Sequence, residues 1–324
     1  MLTPGTHAAT IEAAIAADDA ATRPLVASWQ RSSRLHELTP GHLHAPQRIS
    51  APELRYAQER LGSLLHISGP SLDQLFLAVG DVGCCVVLAD NRGIAIDRRG
   101  APQDDVTFNQ WGLWTGAVWS EESEGTNGVG TCIVEERLLT IHKDQHFHSK
   151  NTGLSCTAAP VFDHQGDLMA VIDVSSCRAD LTAGFSRLIS VAVLDAARKI
   201  ETEHFSQTFS KARIVLASSS DRTVPGHQNL RGAALFAVDQ DDLVIGATRQ
   251  ARSLYGLVEA DLVSPRPLSS LQGREIDQAR QYATAEQRVI QQTLAGVGGN
   301  VSAAARSMGI SRATLHRKLK KFKS

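Results

Sequence analysis

Residues 299–323 read GNVSAAARSMGISRATLHRKLKKFK, and this stretch carries the signals of two short helices joined by a tight turn. Asn300 is a good N-cap for the first helix, because its side chain can accept a hydrogen bond from a first-turn amide. Gly309 can adopt the left-handed conformation that ends a helix. Ser311 can cap the second helix in the same way. The stretch therefore predicts a helix-turn-helix with helices over 301–308 and 312–322.

The second helix of this pair is basic on its outer sides. Leu315, Leu319 and Phe322 lie at i, i+4 and i+7, so they share one side. Residues 301–324 contain seven Lys and Arg and no Asp or Glu, although the formal charge of the whole chain is −1. A basic solvated helix is the plain alternative. The two caps, the turn and the one-sided charge together favour DNA binding.

The helix ahead of this pair is predicted to begin at a capping box over residues 284–287, with Gln287 reaching back to the Thr284 amide. Val289, Ile290 and Leu294 would form its apolar face. Three glycines between 296 and 299 would end it.

The C-terminal stretch closely resembles the Fis-type helix-turn-helix over about 40 residues. The resemblance implies a dimeric domain in which Asn300 and Ser302 contact DNA phosphates and the second helix lies at the groove. The family often has Asn at position 311 and Arg at position 316, where this chain has Ser and His. The predicted DNA-binding residues, with the flanking cations, are Asn300, Ser302, Ser311, Arg312, Thr314, His316, Arg317, Lys318, Lys320 and Lys321.

The other end of the chain, residues 1–70, predicts a helical segment. Helices are expected over 8–35, where Pro24 suits the first turn of a second helix. Further helices are expected over 52–66 and 71–80.

Short apolar runs separated by turns follow and predict a sheet. Cys84–Asp90 and Ile94–Asp97 flank a three-residue turn, as in a hairpin. Helices around an antiparallel sheet make an α+β sensor-like domain. Further strands are predicted over 138–142, 157–162 and 168–174, and a long helix over 181–217.

A second, smaller hairpin is predicted over 233–238 and 243–247, with a short helix over 248–257. The predicted domains are an N-terminal helical segment over 1–70, a sensor domain over 71–205, the end of a signalling helix with a linker over 206–228, a small α/β unit over 229–273, and the helix-turn-helix domain over 280–324.

Five motifs in the first 200 residues resemble the amino-terminal part of the acetoin/glycerol-catabolism family of bacterial enhancer-binding activators. They are Ser28-Trp29-x-Arg31-Ser32, the segment Trp119–Thr131, Gln145-His146-Phe147, the segment Ser155–Pro160, and Ile172-Asp173-Val174-Ser175. The resemblance implies a GAF domain, which is a small-molecule-sensing fold. Residues 230–272 resemble, more weakly, the PAS-like unit of the same family.

The chain departs from that family in one respect. Its members carry an ATPase between the PAS-like unit and the Fis-type domain. Here no Gly-Lys pair occurs, so the phosphate-binding G-x-x-x-x-G-K-[ST] loop is absent, and the GAFTGA loop is missing too. The sequence predicts regulation without ATP hydrolysis.

A small molecule is expected to bind at the concave face of the sheet, under the Gly- and Trp-rich segment 110–131. Ordinary core packing is an equally good interpretation of each Trp. The predicted ligand-binding residues are Trp111, Trp114, Trp119, Glu124, Thr126, Asn127, His146, Phe147, Cys156 and Asp173.

Catalytic and metal-binding interpretations of the same region are weaker. Glu124 or Cys156 could pair with His146 in catalysis. The preferred interpretation is a tight loop at 125–128 whose backbone amides donate hydrogen bonds to Glu124, with His146 packed in the interior. His142, His146 and His148 are close in sequence, yet they lie on a strand-like run without Cys or carboxylate partners. Neither catalytic residues nor a metal or cofactor is predicted.

The composition is that of an ordinary globular protein, with 42% hydrophobic residues and five cysteines without a C-x-x-C pair. The N-terminus lacks the features of a signal peptide, so a cytoplasmic protein is expected. The sequence predicts a ligand-responsive regulator that binds a palindromic DNA operator as a homodimer, controlled by a small-molecule effector. Contact with RNA polymerase is left open. The alternative is a co-regulator or architectural partner that pairs with a full-length sigma-54 activator.

Overall fold

The computed structural model describes residues 4–17, 23–80, 83–178, 182–217, 233–271 and 278–321. They form two compact units, one ending at Pro265 and the other beginning at Arg266. Each unit has its own apolar core. The linker predicted over 218–228 lies outside the described residues.

In the described residues, four α-helices precede the sheet: α1 Pro4–Ala16, α2 Pro24–Gln30, α3 Ala51–Leu61 and α4 Ser63–Val79. Pro24 occupies the first turn of α2, as predicted. A π-helical turn over Arg31–Leu35 continues α2. α3 begins at a capping box in which Ser50 and Glu53 each accept the other's backbone amide.

The predicted helix boundaries at 66 and 71 are wrong. The break falls at Gly62, where φ is +52°, a conformation that favours glycine. α4 then continues through Pro70, although proline inside a helix costs about 3 kcal/mol or more. Leu64, Leu72 and Leu75 of α4 are at most 3% exposed, and burying each contributes about 1.5–3 kcal/mol. The free energy gained by burying these leucines therefore exceeds the cost of the proline.

A five-stranded antiparallel sheet, called the sensor sheet here, forms the centre of the first unit, in the order β2-β1-β5-β4-β3. Val87 pairs with Asp173, and Cys156 pairs with Ser175. The predicted strands are confirmed with small changes in their ends. The elements of this region are β1 Cys84–Asp90, β2 Ala95–Arg99, α5 Asp105–Gln110, α6 Glu121–Glu124, α7 Gly128–Glu135, β3 Leu139–His142, β4 Ser155–Phe162 and β5 Leu168–Ser176.

Both faces of the sensor sheet are covered, so β1 and β4 are buried along their whole length. α4 and the helix α8, Ala183–Thr208, pack on one face around Val86 and Ile172. The other face packs around Val87 and Cys156 against α7 and the Trp-rich segment. This double cover explains why the strands are continuous apolar runs rather than alternating ones.

The long helix ends earlier than predicted. The sequence predicted it to reach Ala217, but α8 ends at Thr208, and a strand, β6 Arg213–Leu216, follows. This strand pairs with the next one, placing Val215 opposite Phe236. Its β-branched residues suit a strand, and pairing with the neighbouring strand favours this conformation over a continued helix. The small α/β unit thus begins within the segment that was assigned to the signalling helix and linker.

That small unit continues with β7 Leu235–Val238, β8 Leu243–Ala247, α9 Arg249–Tyr255 and α10 Glu259–Val263. The hairpin and short helix predicted here are confirmed. Phe205, near the end of α8, packs against Leu235 and Ala237 of β7. The end of α8 therefore contributes to the core of the small unit.

The described residues of the second unit form a two-residue strand, β9 Arg266–Pro267, and the helices α11 Leu268–Leu271, α12 Gln278–Gly296, α13 Val301–Ser307 and α14 Arg312–Lys321. Ile290, Ala304, Ala305 and Leu315 form the centre of its core. The order of the last three helices is that of the predicted helix-turn-helix.

The local signals at the turn are confirmed. Asn300 Oδ1 accepts the Ala303 amide at 3.1 Å, and Ser311 Oγ accepts the Thr314 amide at 3.1 Å. Gly309 has φ +64° between the two helices.

The capping box over residues 284–287 is wrong. α12 already includes Gln278, so Thr284 lies inside the helix. Residues 278–283 contain no helix breaker and are rich in Gln and Ala, which favour helix, so nothing ends the helix before Thr284.

Candidate functional site

Two of the motifs in the first 200 residues, Ser28–Ser32 and Trp119–Thr131, meet in one buried polar cluster. Ser28 Oγ donates to Glu121 Oε1 at 2.6 Å and lies 2.7 Å from Thr126 Oγ1. Arg31 binds the same carboxylate through two contacts, Nε to Oε2 at 2.9 Å and Nη2 to Oε1 at 3.0 Å. The Glu121 side chain is 1% exposed. This cluster joins α2 to α6 and the loop after it.

An apolar contact lies beside that cluster. Phe147 is fully buried against Ile11 and Ile15 of α1 and Val26 and Trp29 of α2. Trp29 Nε1 donates to the Gln145 carbonyl at 2.8 Å. The first two helices are therefore packed onto the sensor, not attached to it only through the chain.

The loop between α6 and α7 is tight, as predicted. Gly125 has φ +61°, and a Cβ there would lie 2.6 Å from the Phe147 ring. Asn127 caps α7, because its Oδ1 accepts the Gly130 amide at 2.9 Å. The Thr126 hydroxyl contacts the Ser28 and Ser32 hydroxyls rather than a backbone group.

The predicted role of Glu124 is wrong. Its carboxylate does not bind the loop amides but lies 2.8–2.9 Å from Lys150 Nζ and accepts Asn151 Nδ2 at 3.2 Å. The Asn127 amide instead donates to Thr131 Oγ1 at 3.2 Å. The chain turns away from Glu124 at Gly125, so the carboxylate points toward other segments.

The three tryptophans predicted to contact ligand are packed. Trp119 is 3% exposed and donates from Nε1 to the Gly112 carbonyl at 2.9 Å. Arg98 stacks over the Trp114 ring at 4.4 Å from its centroid. Trp111 lies against the backbone of Gly153. Core packing describes Trp119, while Trp111 and Trp114 are half-buried, so their contact with a ligand stays a prediction.

The remaining predicted ligand residues are also inside the first unit. Thr126, Asn127, His146 and Phe147 are fully buried, and Glu124 is 2% exposed. His146 Nδ1 lies 3.0 Å from the Lys143 carbonyl, and among the described residues no hydrogen bond joins it to Glu124 or Cys156. Burial lowers the pKa of His146 to about 4. The geometry thus forms neither of the two catalytic pairs considered.

Asp173 is a carboxyl group buried in the sensor sheet. Its Oδ2 accepts the Ser175 hydroxyl at 2.5 Å, while Oδ1 has no hydrogen-bond partner among the described residues. Burial raises the pKa of Asp173 to about 7 and raises the pKa of the neighbouring Cys156 thiol well above its usual range. The thiol is therefore neutral and unreactive at physiological pH.

We expect Asp173→Asn to remove a pH dependence of stability. A carboxyl with a pKa of about 7 when folded and about 3.9 when unfolded holds more protons in the folded state. Its contribution is complete below about pH 4 and is lost as the pH rises through 7. The variant should therefore gain stability over the wild type between pH 5 and pH 8, by at most on the order of 3 kcal/mol, since about two pKa units of the shift lie above pH 5.

Denaturant unfolding at both pH values, followed by tryptophan fluorescence, measures this gain, since all four tryptophans lie in residues 29–119. An equal difference between variant and wild type at pH 5 and pH 8 would contradict the assignment.

None of the ten predicted ligand residues lines any of three clefts found in the described part of the chain. A cleft of about 690 Å³ lies between α4 and α8. A smaller one, of about 150 Å³, lies beside β3. The third, of about 420 Å³, lies between β4, α8 and α9 and is lined by Phe162, Arg198, Glu201 and Arg249. Burial raises the pKa of Glu201 in this cleft to about 7.

The exposed face of the second unit is basic. Arg312, His316, Arg317 and Lys320 of α14 are exposed, whereas Leu315 is buried in the core. Ser311 and Asn300 are exposed while their side chains cap the helices, and Ser302 and Thr314 are half-buried. Lys321 ends α14, and its side chain lies outside the described residues.

Among the predicted DNA-contacting cations, Lys318 differs from the others in its surroundings, and its contact with DNA stays a prediction. Lys318 forms an ion pair with Glu286 of α12, so it faces the helix packed behind α14 rather than the exposed basic face. Position 318 lies three residues after Leu315 and next to Leu319, so it is at the edge of the apolar side of α14. Glu286 neutralises its charge there.

Comparison with known proteins identifies the sensor region. Residues 8–201, which are more than half of the chain, match the family described as MimR, N-terminal domain. The chain belongs to the MimR N-terminal domain family. Residues 282–322 match a second family, described as Bacterial regulatory protein, Fis family. The resemblance of the sensor region to regulators of acetoin catabolism and that of the C-terminal stretch to the Fis type are confirmed.

Relatives of this family member are regulatory proteins. The acetoin catabolism regulatory protein of Cupriavidus necator is 30% identical over 69% of this chain and 33% of its own length. The propane 2-monooxygenase operon transcriptional activator MimR of Mycolicibacterium smegmatis is 30% identical over 50% of this chain and 26% of its own length. The chain thus spans about a third or less of these relatives.

A solved structure supports the fold of the MimR-type sensor. The E. coli DhaR(N)–DhaL complex contains a chain that matches with a TM-score of 0.50 and 17% identity, covering 76% of this chain and 81% of that one. The mixed helix-and-sheet class is confirmed. Among the described residues, no helix has the length and apolar character needed to cross a membrane.

Proposed function

We propose that this chain is a transcriptional regulator that binds an operator in double-stranded DNA through α14. The observation that carries the proposal is the exposed basic face of α14, held by two capped helices and a left-handed glycine turn. Exposed cations on a helix that follows such a turn suit the major groove, where side chains reach base edges and neighbouring cations contact phosphates.

The relatives support regulation of catabolic genes. The C. necator relative is named for acetoin catabolism and the M. smegmatis relative for a propane 2-monooxygenase operon. We infer that this chain responds to a small metabolite. Because it contains no Gly-Lys pair, these 324 residues do not provide the phosphate loop of an ATPase.

An effector has a suitable site in the cleft between β4, α8 and α9. Its volume of about 420 Å³ falls within the range of small-molecule sites. Arg198 has two donor atoms without a hydrogen-bond partner among the described residues, and Glu201 Oε1 accepts the Phe162 amide at 2.9 Å. Because the cleft lies between β4, α8 and α9, a ligand there would contact both the sensor sheet and the small α/β unit.

The test is a mobility-shift titration of the full chain against promoter fragments, at several salt concentrations and with and without acetoin as the first effector probe. We expect one or a few fragments to bind selectively, with affinity falling steeply as salt rises. An effector should change that affinity about 5- to 150-fold. Equal binding to every fragment, removed equally by unrelated competitor DNA, would exclude an operator-binding function.

We also propose that the regulator acts as a homodimer, since two recognition helices about 34 Å apart would read the two halves of a palindromic operator. α8 offers an association face: Leu188 and Val191 are 66% and 68% exposed and lie at i, i+3. Exposed apolar side chains grouped on one helix face are typical of interfaces.

Leu188→Glu is therefore expected to weaken self-association at least about tenfold, because two charges would meet across a two-fold axis. Val134→Glu is the matched control, since Val134 is 49% exposed on α7, away from this face. Sedimentation equilibrium gives the dissociation constants. A wild-type chain that stays monomeric at micromolar concentration, or a Leu188→Glu chain that dimerises normally, would contradict an α8 interface.

The sequence left open a co-regulator that pairs with a longer activator, and the shared sensor region of the longer relatives motivates it. The same titration separates the two functions. A purified chain that binds a discrete operator alone acts as a regulator in its own right.

A further inference from the structure

Four side chains from three separate segments meet beside α6. His44 comes from the segment before α3, Glu124 ends α6, and His148 and Lys150 precede β4. One nitrogen of each histidine and one Glu124 oxygen all lie within 4.8 Å of one another. His44 Nε2 lies 3.0 Å from Glu124 Oε1. This cluster, called the His44 cluster here, is separate from both the α14 surface and the cleft at Glu201.

His148 has no hydrogen-bond partner for either ring nitrogen among the described residues, although it is 1% exposed. Buried polar atoms are nearly always paired, and an unpaired one costs free energy. In the described residues, its ring contacts are with His44 and Phe147, whose ring centroids lie 4.9 and 5.3 Å from that of His148. An imidazole nitrogen without a hydrogen-bond partner can offer its lone pair to a metal ion.

The contacts of His44 Nε2 conflict with one another. This atom lies 3.0 Å from Glu124 Oε1, which only accepts, and 3.0 Å from Lys150 Nζ, which only donates. An unprotonated Nε2 faces the carboxylate as a second acceptor, and a protonated Nε2 faces the ammonium as a second donor. One of the two contacts is therefore unfavourable in either state.

We propose that His44, Glu124 and His148 bind a divalent transition-metal ion, which takes the position now held by the Lys150 ammonium. A cation there accepts the lone pairs of both imidazoles and neutralises the carboxylate, which resolves the conflict at His44 Nε2 and gives His148 a partner. Two His and one carboxylate suit Zn²⁺ and similar ions and leave a fourth position open. The ligand atoms need to approach from within 4.8 Å to roughly 3.4 Å, the spacing at a tetrahedral ion.

The ion would tie together three segments that are far apart in sequence. His44 lies in the stretch between the π-helical turn and α3, whereas Glu124 and His148 belong to the sensor. Histidine proximity in sequence suggested a different set, His142, His146 and His148. Their surroundings differ: His142 Nδ1 pairs with Ser155 Oγ at 2.5 Å, and His146 Nδ1 lies beside the Lys143 carbonyl.

The test uses the full chain after treatment with a chelator, titrated with Zn²⁺ alone in a calorimeter. The wild type is expected to bind one equivalent, and His44→Ala to lose at least about tenfold in affinity. His44 is a quarter exposed, so this change should leave the fold intact. His66→Ala is the matched control, because His66 is exposed and outside the cluster. Co²⁺ provides a second readout, as a visible absorption band that His148→Ala should remove.

Lys150→Met distinguishes metal binding from a merely structural cluster. Removing the competing ammonium should tighten Zn²⁺ binding at least about threefold, with Lys199→Met, an exposed lysine, as control. Zn²⁺ binding that is unchanged in His44→Ala, or that is unchanged or weaker in Lys150→Met, would overturn the proposal. A wild type that binds no stoichiometric Zn²⁺ would overturn it as well.

Discussion

Replacing Arg312 with alanine is expected to remove most of the sequence discrimination of this chain on DNA. Arg312 is exposed on the first turn of α14, where side chains of a recognition helix reach base edges. A good base contact contributes about 1–3 kcal/mol of discrimination, so two copies in a dimer would lose roughly 30-fold or more. Competition of operator against non-operator DNA at fixed salt measures the ratio.

Lys320→Ala is the matched control for that experiment. Lys320 is exposed on the same helix two turns later and is expected to contact phosphate. Its loss should weaken binding to all sequences alike and reduce the salt slope by about one for each protomer. If Arg312→Ala keeps its operator preference while Lys320→Ala loses it, the assignment of the two roles is reversed. If neither changes anything, α14 does not contact DNA.

Arg31→Ala is expected to give the largest loss of stability in the sensor. The change leaves the Glu121 carboxylate, 1% exposed, without its cation and with only Ser28 as a hydroxyl partner. Removing one partner of a buried ion pair costs about 3–5 kcal/mol. The low end of this range applies, because Arg31 itself is 28% exposed and water can reach part of the vacated space.

The tryptophan signal in denaturant reports this change, since Trp29 lies next to the cluster and packs on Phe147. Arg55→Ala, an exposed arginine of α3, should cost little and serves as control. The double variant Arg31→Ala, Glu121→Gln should recover part of the stability, because the buried charge is gone. No recovery, or a loss below about 1 kcal/mol for Arg31→Ala alone, would mean that the pair contributes little to stability.

The parts of the fold that could be predicted are those with local signals. Asn300, Gly309 and Ser311 each determine a helix end by their own chemistry, so the helix-turn-helix follows from 25 residues. The continuous apolar runs of β1 and β4 likewise identify buried strands without knowledge of their neighbours.

The parts that could not be predicted depend on contacts with distant residues. β6 looks like the end of a helix until it pairs with β7, and α4 crosses Pro70 because the sheet buries its leucines. The role of Glu124 is set by Lys150 and His44, which are 26 and 80 positions away. The sequence motifs do not predict the hydrogen bond between Ser28 and Glu121, which are 93 positions apart, and the structure shows it.

Because α1 and α2 pack onto α6 and Phe147, these two helices belong to the smallest segment that recombination between regulators could exchange. A crossover at residue 71, where the predicted sensor domain began, with a regulator that lacks the Ser28–Ser32 motif would separate Arg31 from Glu121 and Trp29 from Phe147. The recipient would then carry a buried carboxylate without its cation and an uncovered aromatic ring. An exchange with such a regulator is expected to give a folded sensor only when the whole stretch from α1 to α8 is transferred. This stretch is therefore expected to be inherited as one block.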